Sequence, residues 1–415
     1  MVTLTKKFWI TAATLGAGSM FAQLISFATL PILTRIYLPS EFGKLSVLVA
    51  ISAILAPLIT MRIETIVLVT KSIEQTQFLL YVALVIISSW TAILLLILTS
   101  VAVLLLNLNI WDSMHLGLMV SLYIFAQAMN LILTQFSLRH RKIISINQSS
   151  ITQNLSTSLI QISMGLINQT FLSLLTGLTL GRFVGLFPLL KNSGLRSLVI
   201  RKKGSFRELE LRKKLLASNY LVPISVIEAA ILNLPLIFLS YYFGAALVGN
   251  ISVAQGIVLA PAILIGGSVA STIISNTHSD TVTPSKIRIN LQMGGVFRRV
   301  FFLTSLYIFV LMLFASIIVE KYLGLEWQSV KTFIYIITLP YAVMIMWLPF
   351  VSLLYQEEKW RLLLHTAILR LSVSLVFSAI CYSLYKDGRF VIGSFLIGNS
   401  LIQCITIYRH RGLLK

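Results

Sequence analysis

The fold is decided by Lys191–Lys214, KNSGLRSLVIRKKGSFRELELRKK, a polar island in an apolar chain. It carries nine lysines and arginines against two glutamates, Glu208 and Glu210. The flanks, 1–190 and 215–415, are nearly equal in length, and each divides into about six apolar segments. A basic connector at the centre of such a chain marks a duplicated membrane protein whose linker lies in the cytoplasm. A nucleic-acid patch on a soluble protein is the competing reading, and composition excludes it. The chain is 57% hydrophobic and 11% charged, with a mean hydropathy of +0.91. Average soluble chains carry about 25% charged residues. Lipid must therefore replace much of the water-facing surface. Twelve spans of about 20 residues each use more than half of the length, which leaves no room for a sizeable soluble domain.

Working outward, the apolar periodicity predicts helices at about 9–33, 43–61, 77–105, 116–138, 147–168 and 170–190. The second half predicts them at about 216–242, 247–275, 300–319, 332–355, 361–385 and 390–408. Pro39 and Gly43 read as punctuation of the first turn. The expectation is an all-α integral membrane protein of about 12 transmembrane helices in two pseudo-symmetric lobes. The lobes are 1–190 and 215–415, joined by the linker 191–214.

Charge sets the orientation. With the N-terminus in the cytoplasm, 25 of the 33 lysines and arginines fall in cytoplasmic segments and 6 on the other side, while Arg182 and Arg370 lie inside helices. That bias places both termini in the cytoplasm and supports an even number of spans, because one missed helix would invert every later loop. It also absorbs most of the formal charge of +20. The halves resemble each other at an offset of 206 residues (249 less 43): Gly43-Lys-Leu-Ser-Val47 matches Gly249-Asn-Ile-Ser-Val253, and Lys7 matches Lys213. Six spans per half make this a parallel repeat.

Three ionisable residues break the apolar pattern near mid-span: Arg182, Glu228 and Arg370. A charge at the bilayer centre costs about 2.5–3.5 kcal/mol even on the lenient insertion scale, so none belongs against lipid. Two arrangements satisfy them. One is an internal ion pair of Glu228 with one arginine. The other is a cationic cavity between the halves that meets an anionic headgroup, for which the planar guanidinium is suited. Along the fifth helix Asn147, Asn154, Gln161 and Asn168 recur every seven residues and share a face with Ser150 and Ser158. Amides in lipid need partners, so this face either lines the cavity or bonds to other helices; Gln255 poses the same choice.

No catalytic set is present. The five histidines are scattered away from Cys, Asp and Glu at ligand spacing, and there is no phosphate-cradling glycine loop of the ATPase type. Cys381 and Cys404 lie in apolar runs and read as reduced packing residues. Neither an enzyme nor a cofactor is expected.

Leu234–Gly249 (LPLIFLSYYFGAALVG), continued by Ser252–Gln255 and Pro261–Gly267, is similar to the second-half signature of bacterial polysaccharide-unit flippases. These are the O-antigen transporters of the multidrug/oligosaccharidyl-lipid/polysaccharide superfamily. Thr34–Gly43 (TRIYLPSEFG) with Arg62-Ile-Glu64 resembles the first-half hallmark, and Arg139–Gly181 is similar too. The resemblance implies a twelve-helix, two-lobed alternating-access transporter in the bacterial inner membrane. Its cargo would be an oligosaccharide on undecaprenyl pyrophosphate, moved from the cytoplasmic to the periplasmic leaflet for lipopolysaccharide or related polysaccharide biosynthesis. The bilayer and the polymerase and chain-length machinery are the implied partners, with no nucleic acid and a monomeric state. Coupling to a proton or sodium gradient stays open.

Arg35, Arg62 and Glu64 carry over as matched motif positions, as headgroup contacts, gates or interfacial anchors. The expected cavity set is Arg35, Arg62, Arg182, Arg370, Asn154, Gln161 and Gln255, with Glu228 and Glu64 as coupling or ion-pair residues. The chain lacks the two additional helices expected of lipid II flippases. Competing functions are a cation-coupled drug exporter of the same superfamily, which would need more buried carboxylates, and a membrane polysaccharide polymerase, which would need a larger outer loop.

Overall fold

The computed structural model describes residues 2–69, 73–106, 110–140, 142–193, 208–277, 286–357 and 359–410, with side chains for most of them. Of the basic connector, 194–207 lies outside the described residues.

Long apolar segments fold as helices because every backbone group is then bonded within its own segment. In chain order they are α1 (Val2–Ile36), α2 (Pro39–Thr60), α3 (Ile63–Val69), α4 (Ile73–Leu106), α5 (Ile110–Arg139), α6 (Ile143–Ile167) and α7 (Phe171–Ser193). The second half gives α8 (Glu208–Phe243), α9 (Ala245–Thr277), α10 (Lys286–Ile318), α11 (Ser329–Gln356), α12 (Trp360–Tyr385) and α13 (Gly388–Arg409). Twelve are the expected long helices. The addition is α3, whose seven residues cover only about 10 Å. It is too short to cross, so it leaves the even span count intact. The chain enters it through Met61 and Arg62, both left-handed at φ 47° and 56°, and this strained break explains why apolar periodicity alone misses it.

Among the described residues, nine helices are long and apolar enough to span a membrane, and Met20–Ile36 and Ala245–Leu259 add shorter apolar pieces. At 25 residues α6 has the length to span but lies outside the nine, since amides and hydroxyls dilute its hydropathy. A segment of that character belongs inside a helical bundle.

The chain forms two compact units. The N-unit comprises Phe21–Thr29 and Leu48–Val226; the C-unit comprises Met1–Met20, Leu30–Val47 and Ile227–Lys415. Within the N-unit α4 packs on α5, α5 on α7 and α6 on α7; within the C-unit α10 packs on α11, α11 on α13 and α12 on α13. The same pairing therefore occurs twice. Its register is visible in two close helix contacts. Gly181 sits against Thr157 and Gly398 against Ser374, each residue of the second pair lying 217 positions after its counterpart (398 less 181).

The 206-residue repeat is visible in the C-unit itself, where the first turns of α2 and α9 cross. A Cβ on Gly43 would lie 1.8 Å from the Ala245 carbonyl oxygen, and one on Gly249 would lie 1.8 Å from the Pro39 carbonyl oxygen. The contact is reciprocal: residue 43 meets 245 as 249 meets 39. Gly43 is thus a helix residue selected for close approach, which corrects its reading as a turn residue; Pro39, free of a backbone donor, opens the helix. The crossing is secured by Trp327 from the turn between α10 and α11. Its Nε1 donates to the Thr34 carbonyl at 2.9 Å, and its ring meets that of Phe42 edge-on at 5.2 Å. Much of the Thr34–Gly43 motif is accordingly a packing element of the C-unit, with Tyr37 and Trp327 both fully buried.

Candidate functional site: two arginine environments

Arg370 lies on α12 with only 2% of its side chain exposed. A guanidinium so placed needs its donors met. Nη1 donates to Glu228 Oε1 on α8, Nε donates to Asn399 Oδ1 on α13 at 2.8 Å, and the indole of Trp347 on α11 lies under the cation at 4.8 Å from its centroid. The charge is neutralised and its donor face is occupied. Of the two sequence alternatives, the internal pair is the arrangement formed here.

Arg182, on α7 of the N-unit, is half-buried and differently placed. Nη2 donates to Tyr123 Oη on α5 at 3.3 Å, and Cζ stands 4.9 Å from the centre of the same ring. Nε is buried and finds no partner among the described residues. Among the described residues no carboxylate pairs with Arg182. A cation–π contact offsets only part of the desolvation of a guanidinium, so this site retains net positive character.

Around it the N-unit is polar. On α5, Tyr123, Gln127, Asn130 and Thr134 follow at helical spacing on one face. Asn130 Nδ2 donates to Gln153 Oε1 on α6 at 3.2 Å, and Thr134 Oγ1 donates to Asn130 Oδ1 at 3.3 Å. Gly185, one turn beyond Arg182, rests against Gln153 and brings α7 close to α6. Asn154 accepts from Ser26 Oγ on α1 at 3.2 Å and donates to the Ser150 carbonyl, while Ser158 and Thr29 hydroxyls meet at 3.0 Å. Buried polar atoms without a partner among the described residues include Gln23 Oε1, Gln127 Oε1 and Thr179 Oγ1, all in this unit.

The remaining expected residues separate. Gln161 is buried between α6 and α7, where Nε2 donates to the Leu174 carbonyl at 2.9 Å. Gln255 donates to Tyr341 Oη at 2.8 Å, joining α9 to α11. Both make bonds between helices, which is the alternative to cavity lining that the sequence leaves open for such amides. Arg35 is exposed in the last turn of α1, where a cation is favoured by the helix carbonyls. Arg62 Nη1 donates to Glu64 Oε1 at 3.2 Å at the α2–α3 break; Glu64 is buried, and its Oε2 and Arg62 Nε lack partners among the described residues. Tyr123, Gln153, Trp347 and Asn399 did not stand out in the sequence, because aromatic and single amide residues are common in apolar helices.

Cys381 and Cys404 are free. Among the described residues no three His, Cys, Asp or Glu side chains gather as a metal ion would require.

No family model matches the sequence, and no curated protein does. Solved structures match along the whole chain. A mutant form of the Vibrio cholerae MATE transporter VcmN is similar at a TM-score of 0.71 and 14% identity, covering 100% of this chain and 97% of that one. The lipid II flippase MurJ in an inward closed conformation is similar at 0.63 and 13%, covering 99% and 88%. The MATE transporter ClbM in complex with Rb+ follows at 0.53 and 12%, covering 98% and 92%. The chain has the fold of these proteins, a multi-pass α-helical membrane bundle.

Proposed function

We propose that the chain is a flippase for an anionic, lipid-linked oligosaccharide of the undecaprenyl-pyrophosphate type, working by alternating access in the bacterial inner membrane with both termini cytoplasmic. The carrying observation is Arg182: a half-buried mid-span guanidinium with an unpartnered Nε and, among the described residues, no carboxylate to neutralise it. A pyrophosphate supplies the missing charge and presents oxygens to the donor face left open beside Tyr123. The O-antigen resemblance of Leu234–Gly249 and Thr34–Gly43, and a fold shared with a lipid II flippase, support the same cargo class.

A cation-coupled exporter is the runner-up, favoured by the fold shared with the MATE transporters. Its cargo or coupling ion needs free acids. Among the described residues the two buried or mid-span carboxylates, Glu228 and Glu64, are each already paired with an arginine of this chain, and on that ground we propose the exporter only as the second reading.

The test is genetic. The gene is deleted in its own strain, and surface polysaccharide is scored together with the leaflet of the lipid-linked precursor. The expected result is loss of surface polymer with single units held on the cytoplasmic side, and no rescue by Arg182→Ala at normal membrane levels. Normal surface polymer with Arg182→Ala would remove the binding role. Units reaching the outer leaflet unpolymerised would move the assignment to a polymerase.

A further inference from the structure

We infer that the face of α5 running from Tyr123 to Thr134, with Gln153 of α6, is a saccharide track. It hydrogen-bonds the sugars of the cargo beyond the headgroup held at Arg182, and so rests on the function proposed above.

Four observations carry it. The track is contiguous with Arg182: Tyr123 bonds the guanidinium, Gln127 lies one turn along, Asn130 two, and Thr134 three, about 16 Å in all at 1.5 Å per residue. It is neutral but rich in paired donors and acceptors, since each amide offers both and the Thr134, Asn130 and Gln153 side chains already form a relay. It is under-satisfied, because Gln127 Oε1 is buried with no partner among the described residues and an acceptor in that position calls for a donor. And it belongs to the first half alone. At the 217-residue register Gln127, Asn130 and Thr134 become Met344, Trp347 and Val351, so the shared architecture does not demand amides there.

Hydroxyl groups both donate and accept, and a chain of sugars repeats them along its length. Such a ligand extends the relay without leaving an amide unpaired. An apolar or purely cationic ligand would strip water from the same groups and return nothing to them.

The experiment uses the purified full-length chain in liposomes and two probes. One is a polyprenyl pyrophosphate carrying a single N-acetylhexosamine; the other carries a tetrasaccharide. The variant is the double replacement Asn130→Leu with Gln153→Met, which keeps shape and removes both members of the Asn130–Gln153 bond together; the Thr134 hydroxyl, which loses Asn130 Oδ1 as its acceptor, can turn to the backbone carbonyl one turn back. Gln127→Ser is the second, polar variant. The expected result is a loss of about tenfold or more in flipping of the tetrasaccharide probe with little change for the single-sugar probe, whereas Arg182→Ala loses both. Equal effects of the double variant on the two probes, or no effect on either, would overturn the track while leaving the flippase intact. Failure of the unmodified chain to move either probe would instead overturn the proposed function.

Discussion

Arg182 and Arg370 are the two mid-span arginines of a duplicated chain, and the duplication handles them in opposite ways. At the 217-residue register, positions 130, 153 and 182 hold Asn, Gln and Arg, while 347, 370 and 399 hold Trp, Arg and Asn. The arginine and its neighbouring amide have exchanged helices between the copies. The counter-charge differs as well. At the 206-residue offset the place of Glu228 is taken by Ala22, which is buried at 1% exposure. The second copy therefore pairs its mid-span arginine with an anion, and among the described residues the first does not. One architecture yields an internally neutralised post in the C-unit and a cationic position in the N-unit. A cation retained inside an apolar helical bundle without a counter-charge costs stability; the anionic cargo proposed above would give it a use.

The largest effect expected from this contrast is on stability. Arg370→Ala leaves Glu228 and Asn399 without their shared donor and should destabilise the purified protein by about 3–5 kcal/mol, as removal of one member of a buried pair does. Arg182→Ala removes a charge that, among the described residues, has no internal counter-charge, and should change stability by less than about 1 kcal/mol. Thermal unfolding in detergent measures both. If the pair in the C-unit is structural, Glu228→Gln combined with Arg370→Met recovers most of the loss; if the double variant is no better than Arg370→Ala, the pair has another role and the contrast collapses.

A smaller effect tests where the copies are alike. Gly43→Ala and Gly249→Ala each drive a methyl group into a carbonyl of the other helix, and overpacking of this kind costs about 1–3 kcal/mol. Because the contact is reciprocal, the two losses should agree within about 0.5 kcal/mol. A large inequality would mean that the crossing of α2 and α9 is symmetric in geometry only.

These residues also show how far the sequence could be read. Twelve long helices were legible because apolar length and the charge asymmetry of loops are written along the chain, each within a short window. The equivalence of Gly43 and Gly249 was legible as a match, but its purpose was not: close approach is a relation between two helices, and a turn is the default reading of Pro and Gly together. α3 was hidden because its break is made by non-glycine residues at positive φ. The three charged mid-span residues stood out by cost alone, whereas the split between a paired and an unpaired arginine depends on which helices meet. Gln161 and Gln255 shared a polar signature with cavity-lining residues and bond neighbouring helices, since an amide stripe has the same spacing in either role.

The smallest effect concerns the starts of α7 and α13, which occupy the same register: Thr170 precedes one and Asp387 caps the other (387 less 170 is again 217). Asp387 accepts from the Arg389 backbone nitrogen at 2.8 Å, and the Arg389 side chain bonds its carboxylate at 2.8–3.3 Å. The hydrogen bonds from the Arg389 side chain, reinforced by its backbone bond and its charge, hold that carboxyl below its usual range. A folded-state pKa depressed in this way contributes stability above the unfolded value near 4 and loses it as pH falls through the folded value. The start of α13 should therefore loosen in acid, and only slightly, because the pair is open to solvent. The start of α7, preceded by a residue that does not titrate, should be unaffected. Hydrogen exchange at the first turns of both helices, at about pH 6 and about pH 3, brackets the carboxylate range and separates them. Asp387→Asn keeps a capping oxygen and should abolish the pH dependence; if α7 and α13 loosen alike, the acid sensitivity belongs to the bundle as a whole and the cap contributes nothing of its own.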